Sequence, residues 1–128
     1  MFLSLDYLDI YTSYNQALQI ITILKKYIQC YSSTITDATA GMGGNSFSFC
    51  KYFKYVYCID NNRNCINYLE HNLEQYSNKS IINENCLDIL KLIHTDVIFF
   101  DPPWGGKSYK LKTDMNLYID SINILDII

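Results

Sequence analysis

The first strongly periodic part of the chain lies near its N-terminus, in residues 15–29. Apolar residues recur there at the spacing of one helical face, at Ala17, Ile20, Ile21, Leu24 and Ile28. A polar break at residues 30–33 follows. The pattern predicts an amphipathic helix, and we divide the chain into an N-terminal helical segment, residues 1–33, and a core, residues 34–128.

Four short apolar runs then alternate with helical patterns. The runs are rich in β-branched and aromatic residues, as strands are, and span residues 34–38, 55–59, 80–83 and 96–100. Helical spacing recurs between them, over residues 46–52, 62–76 and 87–92. Apolar strands that alternate with helices predict an α/β fold with a parallel sheet covered on both faces. Right-handed crossovers would give the strand order 3-2-1-4.

Beyond the fourth strand the pattern is weaker. A loop rich in Gly and Lys follows Asp101. The apolar positions of residues 124, 125 and 128, with Ser121 as a possible N-cap, predict a last helix over residues 121–128. No capping residue follows it, so we expect the sequence to stop inside that helix.

Composition narrows the class of protein. Hydrophobic residues make up 49% of the chain, which predicts a folded domain, and the net charge of −3 argues against nucleic-acid binding through bulk charge alone. Any nucleic-acid contact must be local. The five cysteines lack Cys-x-x-Cys spacing, which signals neither a disulfide framework nor a zinc site. With no signal peptide and no apolar run of roughly 18 residues, we expect an intracellular protein, cytoplasmic or nuclear, without membrane or metal.

The connection after the first strand has the features of a cofactor site. Asp37 ends that strand, and a turn with Gly41 and Gly43 leads into the next helix. Glycine permits a sharp turn and a close approach of a ligand to the backbone. The same glycines could serve only as a tight connection, so the turn is not sufficient evidence for a ligand.

Two further carboxylates follow the next strands. Asp60, followed by Asn61, lies at the tip of the second strand, where it could accept hydrogen bonds from ribose hydroxyls. This leaves a dinucleotide oxidoreductase and an S-adenosylmethionine enzyme as alternatives. Asp88, past the third strand, could accept from an adenine amino group and favours the second alternative. The candidate cofactor residues are Asp37, Ala38, Gly41, Gly43, Asp60, Asn61 and Asp88.

The most specific motif directly follows the fourth strand. Asp101 is succeeded by Pro102, Pro103 and Trp104, and the two prolines fix the backbone so that carbonyls can point into a pocket. Acceptors at Asp101 and Pro102 could hold the N–H groups of a planar exocyclic amine and orient its lone pair. These four residues are our candidates for catalysis by positioning.

Trp104 is the only tryptophan of the chain, and it lies beside Gly105 and Gly106. An indole on such a loop can stack on a base, most strongly on a cationic one, or can simply pack the loop onto the sheet. Lys107 and Tyr109 belong to the basic cluster that follows and could meet RNA phosphates. A solvated loop explains that cluster equally well.

These motifs resemble those of the RNA cap guanine-N2 methyltransferases, the trimethylguanosine synthase family. The resemblance rests on residues 37–45 (DATAGMGGN), 59–60 (ID) and 102–106 (PPWGG) and covers residues 34–108. It implies a Rossmann-like class I methyltransferase fold and methyl transfer from S-adenosylmethionine to the 2-amino group of a 7-methylguanosine RNA cap. It also implies that Trp104 stacks on that base and that Asp37, Asp60 and Asp88 hold the cofactor.

The sequence departs from that family in three ways. Asp101 stands where many members have Ser, and this Asp is shared with adenine-N6 and other guanine-N2 methyltransferases, so an adenine-N6 or other amino-methyltransferase acting on DNA or RNA remains an alternative. Residues 13–16 match the stretch that the family places before its core only loosely. The family's sheet has about seven strands, so we expect the C-terminal strands to be missing, with a second chain as one way of supplying them. A non-catalytic cofactor-binding module is the remaining alternative.

Overall fold

The computed structural model describes residues 12–101 and, farther along, the backbone of two short strands. The four helices are α1 (Tyr14–Leu24), α2 (Gly44–Tyr52), α3 (Arg63–Asn72) and α4 (Cys86–Leu90). The six strands are β1 (Thr34–Asp37), β2 (Tyr55–Ile59), β3 (Lys79–Ile82), β4 (Val97–Phe99), β5 (Tyr118–Ile119) and β6 (Ile122–Asn123). A short 3-10 turn at Cys30–Ser32 precedes β1.

The predicted N-terminal helix is present but shorter than its apolar pattern. Ser13 caps α1 by accepting from the Gln16 backbone N–H, and the Gln16 side chain accepts from the Ser13 N–H. This reciprocal capping box fixes the start of the helix. The helix ends at Leu24 because the next N–H groups, of Lys26 and Tyr27, bond three residues back and tighten the chain into a turn.

The first four strands form one parallel sheet in the order β3-β2-β1-β4, as the sequence predicts. Thr34 lies opposite Tyr55 at one end of the β1–β2 pair, and Asp37 lies opposite Cys58 at the other. The pairing continues past β1, where the Ala38 N–H donates to the Phe99 carbonyl at 2.9 Å. The carboxyl ends of the strands therefore meet at one edge of the sheet.

Helices cover both faces of this sheet, which confirms the predicted layers. The larger core joins one sheet face to the first three helices, with Ile21 from α1, Phe49 from α2 and Leu69 from α3. The smaller core, on the other side, packs Cys86 of α4 with Ala38 and Ile59. None of the helices in residues 12–101 is long and apolar enough to cross a membrane.

The prediction of a helix over residues 121–128 is wrong for residues 122 and 123. Ile122 and Asn123 form a strand that pairs antiparallel with Tyr118 and Ile119. The β-branched isoleucines suit that conformation, and the apolar spacing alone could not separate a short strand from the start of a helix. Residues 124–128 lie outside the described residues.

Candidate active site

The turn between β1 and α2 is shaped by two glycines with positive φ. Gly41 has a φ of 56° and Gly43 a φ of 99°, in the region that L side chains rarely adopt. A Cβ at Gly43 would lie 2.8 Å from Leu69 Cδ1, whereas a Cβ at Gly41 would meet nothing within 4 Å. Gly43 therefore lets α3 pack against the turn, and Gly41 faces open space.

Asp60 fixes the opposite side of this turn. Its Oδ2 accepts from the Gly41 N–H at 2.9 Å, and its Oδ1 accepts from the Asn62 N–H at 2.8 Å. Asn83, after β3, donates from its side chain to the Asp60 carbonyl at 3.0 Å. Each carboxylate oxygen keeps a second lone pair, so Asp60 can still accept from a ligand. Asn61 beside it is exposed.

Asp37 is buried at the end of β1, with 1% of its surface exposed. Its Oδ2 accepts from the Ser46 hydroxyl at 2.6 Å, while its Oδ1 has no partner among the described residues. Burial, with smaller contributions from the charges of Asp101 and Asp60, raises the pKa of Asp37 to about 7 against the lowering effect of the Ser46 hydrogen bond. Three carboxyl groups are thus gathered at one edge of the sheet.

Asp101 is held in place by three other segments of the chain. Its backbone N–H donates to Thr39 Oγ1 at 2.7 Å. Its Oδ2 accepts from the Thr12 hydroxyl at 3.2 Å and from Asn45 Nδ2 at 3.3 Å. Asn45 Nδ2 also donates to the Thr12 hydroxyl at 3.1 Å, so the three side chains form a closed network. The Asp101 carboxylate is therefore held in a fixed orientation at the site.

Thr12, Asn45 and Ser46 were not among the candidates from the sequence. Asn45 and Ser46 lie in the first turn of α2, directly after the glycines. That position was a signal, because the first turn of a helix that follows such a connection faces the ligand site. Thr12 had no such signal, since it contacts Asp101 across 89 residues of sequence.

The structure brings together some of the predicted residues and separates others. Asp37, Gly41, Asp60 and Asp101 meet at the carboxyl edge of the sheet. The Ala38 N–H is already bonded within the sheet. Asp88 is exposed one turn into α4, and Asn83 and Asn85 lie closer along the chain to the end of β3. Five predicted residues lie outside the described part of the chain: Pro102, Pro103, Trp104, Lys107 and Tyr109.

The arrangement fits a ligand that carries positive charge and hydrogen-bond donors. Within residues 12–101, Asp37 Oδ1 and Asn45 Oδ1 are buried acceptors without a partner, and a buried acceptor is costly unless it is satisfied. The carboxyl groups of Asp37, Asp60 and Asp101 add negative potential, and the backbone at Gly41 is open to a neighbouring group. The ammonium and sulfonium groups of S-adenosylmethionine match these properties.

Comparison with solved structures supports the class of fold. Trm5b from Pyrococcus abyssi superposes with a TM-score of 0.58 over 80% of this chain and 31% of its own, at 26% identity. A Streptococcus mutans protein solved in complex with SAH has a TM-score of 0.53 over 61% of this chain and 46% of its own, at 21% identity. The parallel sheet with its helices thus has the Rossmann-like fold of these structures.

The family follows from sequence comparison. Residues 32–127 match the profile of the RNA cap guanine-N2 methyltransferases, and the chain belongs to this family. The expectations of an enzyme and of S-adenosylmethionine as methyl donor are confirmed at the level of the family.

Two relatives carry sequence similarity over the same region. Trimethylguanosine synthase of Schizosaccharomyces pombe is 36% identical over 66% of this chain and 41% of its own length. An uncharacterized protein of Acanthamoeba polyphaga mimivirus is 42% identical over 70% of this chain and 37% of its own length. The chain thus spans about two fifths of the length of these relatives.

Proposed function

We propose that this chain transfers a methyl group from S-adenosylmethionine to the exocyclic N2 amine of 7-methylguanosine on capped RNA. The observation that carries the proposal is the position of Asp101. Its carboxylate is anchored by Thr12 and Asn45 beside the buried Asp37, and Pro102 and Trp104 follow it directly in sequence. Membership of the cap guanine-N2 family supports the same substrate.

The residues around the glycine turn would hold the cofactor. The unpaired oxygens of Asp37 and Asn45 would accept from its ammonium group, and Asp60 would accept from its ribose hydroxyls while it braces the backbone of Gly41. Asn83 keeps Asp60 in place and Asn85, after β3, is a candidate for the adenine end alongside Asp88. When bound, S-adenosylmethionine supplies the electrophilic methyl group.

The chain's own contribution to the reaction is to orient the amine. The lone pair of an amine on a purine is delocalised into the ring, so the amine attacks poorly unless its N–H groups are held by acceptors. The Asp101 carboxylate and the Pro102 carbonyl would be such acceptors, and Thr12 and Asn45 fix the carboxylate through its Oδ2 before substrate arrives. A prepositioned acceptor does not have to be ordered during the reaction, which lowers the barrier.

The residues that follow Asp101 in the sequence would bind the substrate. Trp104 would stack on the 7-methylguanine ring, whose positive charge strengthens the contact with an indole face. Pro102 and Pro103 would hold the backbone carbonyls toward the amine. Lys107 and Tyr109 would meet the cap phosphates.

One observation favours a second substrate. Asp101 replaces the Ser that many members of the family have, and the same Asp occurs in adenine-N6 methyltransferases. Adenine in RNA or DNA is therefore the second candidate, and a chain that binds the cofactor without turnover is the third.

The test is methyl transfer by the purified chain with radiolabelled S-adenosylmethionine. Three substrates run in parallel: a 7-methylguanosine cap analogue, the unmethylated cap analogue and an adenine-containing oligonucleotide. Label in the first substrate alone supports the proposal. Label in the adenine oligonucleotide would show that adenine, the second candidate, is the substrate. Cofactor binding by calorimetry, without label in any substrate, identifies a non-catalytic module.

Three variants give the test its controls. Trp104→Ala should abolish transfer to the 7-methylguanosine cap while cofactor binding is retained, because the role proposed for the indole is to stack on the base. Asp101→Ser keeps an acceptor of the family type and should retain activity, whereas Asp101→Ala should not. Equal activity of Asp101→Ala and the unmodified chain would contradict a role for this side chain.

A further inference from the structure

Within residues 12–101, positive charge is concentrated in the first half, although the whole protein is acidic. Residues 12–54 contain four lysines and one acidic residue, the buried Asp37. Residues 55–101 contain three Lys or Arg residues and seven Asp or Glu residues. The surface formed by α1, α2 and the turns that follow them is therefore basic, while the part of the chain from β2 to β4 is acidic.

The packing of α1 against α2 brings these lysines together. Lys25 Nζ lies 4.5 Å from the centre of the Tyr52 ring, and Lys51 Nζ lies 5.8 Å from the same ring. Lys26 and Lys54 are exposed next to them in sequence. Lysines from two helices thus flank one aromatic ring.

Exposed tyrosines accompany the lysines. Tyr27 is 80% exposed and Tyr31 is 74% exposed, so packing of the core explains neither of them. Tyr31 belongs to the 3-10 turn to which the Lys54 backbone is bonded, through the carbonyl of Cys30. Two exposed aromatic rings therefore lie near the lysines along the chain, Tyr27 directly after Lys26 and Tyr31 on the turn bonded to Lys54.

We propose that this basic α1–α2 surface, formed by Lys25, Lys26, Lys51 and Lys54 with the neighbouring tyrosines, binds the single-stranded body of an RNA substrate. Lysines track a phosphate backbone, and exposed rings stack on unpaired bases. The inference rests on RNA being the substrate, as proposed above. A membrane surface fits less well, because the outward positions of α1 are mostly polar, as at Gln16, Gln19 and Thr22.

The geometry links this surface to the active site. Thr12, just ahead of α1, is bonded to Asp101, and Lys25 and Lys26 directly follow the other end of the helix. Lys51 of α2 interacts with the side chain of Tyr14, the first residue of α1. α1 has 11 residues, which at about 1.5 Å per residue is a length of about 16 Å. An RNA held by its cap at Asp101 could therefore follow α1 from Lys51 to Lys25 and Lys26 with a few nucleotides.

The experiment measures binding of a fluorescent, uncapped 12-nucleotide RNA to the full chain by anisotropy at several salt concentrations. Replacing all four lysines by Gln should lower the affinity at least tenfold at low salt. It should also reduce the slope of log K against log salt by about 0.7 for each phosphate that the variant no longer neutralises. Arg63→Gln with Lys91→Gln, in the acidic part of the chain, is the matched control and should change neither quantity.

A second lysine variant and a comparison with lipid vesicles complete the test. Lys26→Gln with Lys54→Gln avoids the lysines that contact Tyr52, so it tests the surface even if the fourfold variant does not fold. An equal loss in the Arg63 and Lys91 control, unchanged binding in the lysine variants, or preference for phosphatidylserine vesicles over RNA would overturn the proposal. Because no methyl transfer is needed, failure of the proposed activity and failure of this surface give different results.

Discussion

Asp37 combines two properties that rarely occur together in a carboxyl group. It is almost completely buried, and one of its oxygens has no partner among the described residues. Burial and the neighbouring carboxylates make the charged form unfavourable, which is why its pKa is raised to about 7. A cationic ligand would satisfy the oxygen that has no partner among the described residues and would favour the charged form of the carboxyl group.

This environment predicts a pH-dependent stability. The folded-state pKa of Asp37 is about 7, above its ordinary value of 3.8, so the folded protein binds more protons between these values. Its free energy of unfolding should therefore fall as pH rises through that window. Asp37→Asn removes the effect, so its stability relative to the unmodified chain should rise from pH 4.5 to 7.5 by about 3 kcal/mol. Urea unfolding at both pH values measures it.

The control for Asp37 is an exposed carboxyl group elsewhere. Glu70→Gln on α3 changes the same kind of charge in water, so its stability difference from the unmodified chain should vary little with pH. If the stability difference of Asp37→Asn from the unmodified chain varied with pH no more than that of Glu70→Gln, a raised pKa of Asp37 in the folded protein would be refuted.

Asn45 and Thr12 act on the reaction through Asp101. Asn45→Asp replaces the amide that donates to Asp101 Oδ2 by a carboxylate of similar shape, and like charges at this distance repel. We expect kcat for methyl transfer to fall at least tenfold, about 1.4 kcal/mol in barrier height, with a smaller change in KM. Thr12→Val removes one donor and should cost less. Unaltered kcat in Asn45→Asp would show that the network does not position Asp101.

At the scale of elements, the sheet could be predicted because its signals are local. Four apolar runs separated by helical patterns specify parallel strands, and the fixed hand of the crossovers then gives β3-β2-β1-β4. Helix ends were less predictable, since the apolar spacing continues to Ile28 while hydrogen bonding ends α1 at Leu24. The strand at Ile122–Asn123 was missed because two residues carry no periodicity.

The sequence predicts only those residues of the candidate site that lie at or directly after the end of a strand. Asp37, the glycines, Asp60 and Asp101 follow strand ends, so topology alone brings them to one edge. The network around Asp101 joins residues 33, 56 and 89 positions apart, and no local pattern encodes such contacts. Asp88 lies on the exposed side of α4, so its role at the cofactor stays a prediction.

The two glycines of the turn should respond differently to the same substitution. Gly43→Ala meets an unfavourable φ and a contact of 2.8 Å with Leu69 Cδ1, so we expect about 2 kcal/mol of lost stability. Gly41→Ala meets only the unfavourable φ and should cost about 1 kcal/mol. Its methyl group points into the open space of the proposed cofactor site, so it should weaken cofactor binding more. Thermal unfolding and calorimetry separate the two effects.

Leu69→Ala supplies the control for this pair. Removing the side chain that Gly43→Ala would strike should make the double variant less unstable than the sum of the single changes. Strict additivity would mean that the loss in Gly43→Ala comes from backbone strain alone.

For the whole molecule, the two cores are unequal. The core under α1, α2 and α3 contains the largest fully buried side chains, including Phe49, Leu69 and Leu73. The core under α4 is small, and near it Leu92 is 80% exposed and Ile98 of β4 is 47% exposed. Stability should therefore reside mainly in the first face, with β4 held to it through few large contacts.

Replacing Phe49 tests whether most of the stability comes from the larger core. Its ring packs edge-on against Phe53, with centroids 5.8 Å apart, and against Phe99 of β4 at 5.1 Å. Phe49→Ala should cost about 3–5 kcal/mol, a large share of the roughly 5–15 kcal/mol typical of a folded domain. Leu92→Ala, on an exposed side chain, should cost less than about 0.5 kcal/mol. Urea unfolding of both variants decides the point: similar losses would mean that burial of Phe49 in the larger core contributes no more stability than an exposed leucine.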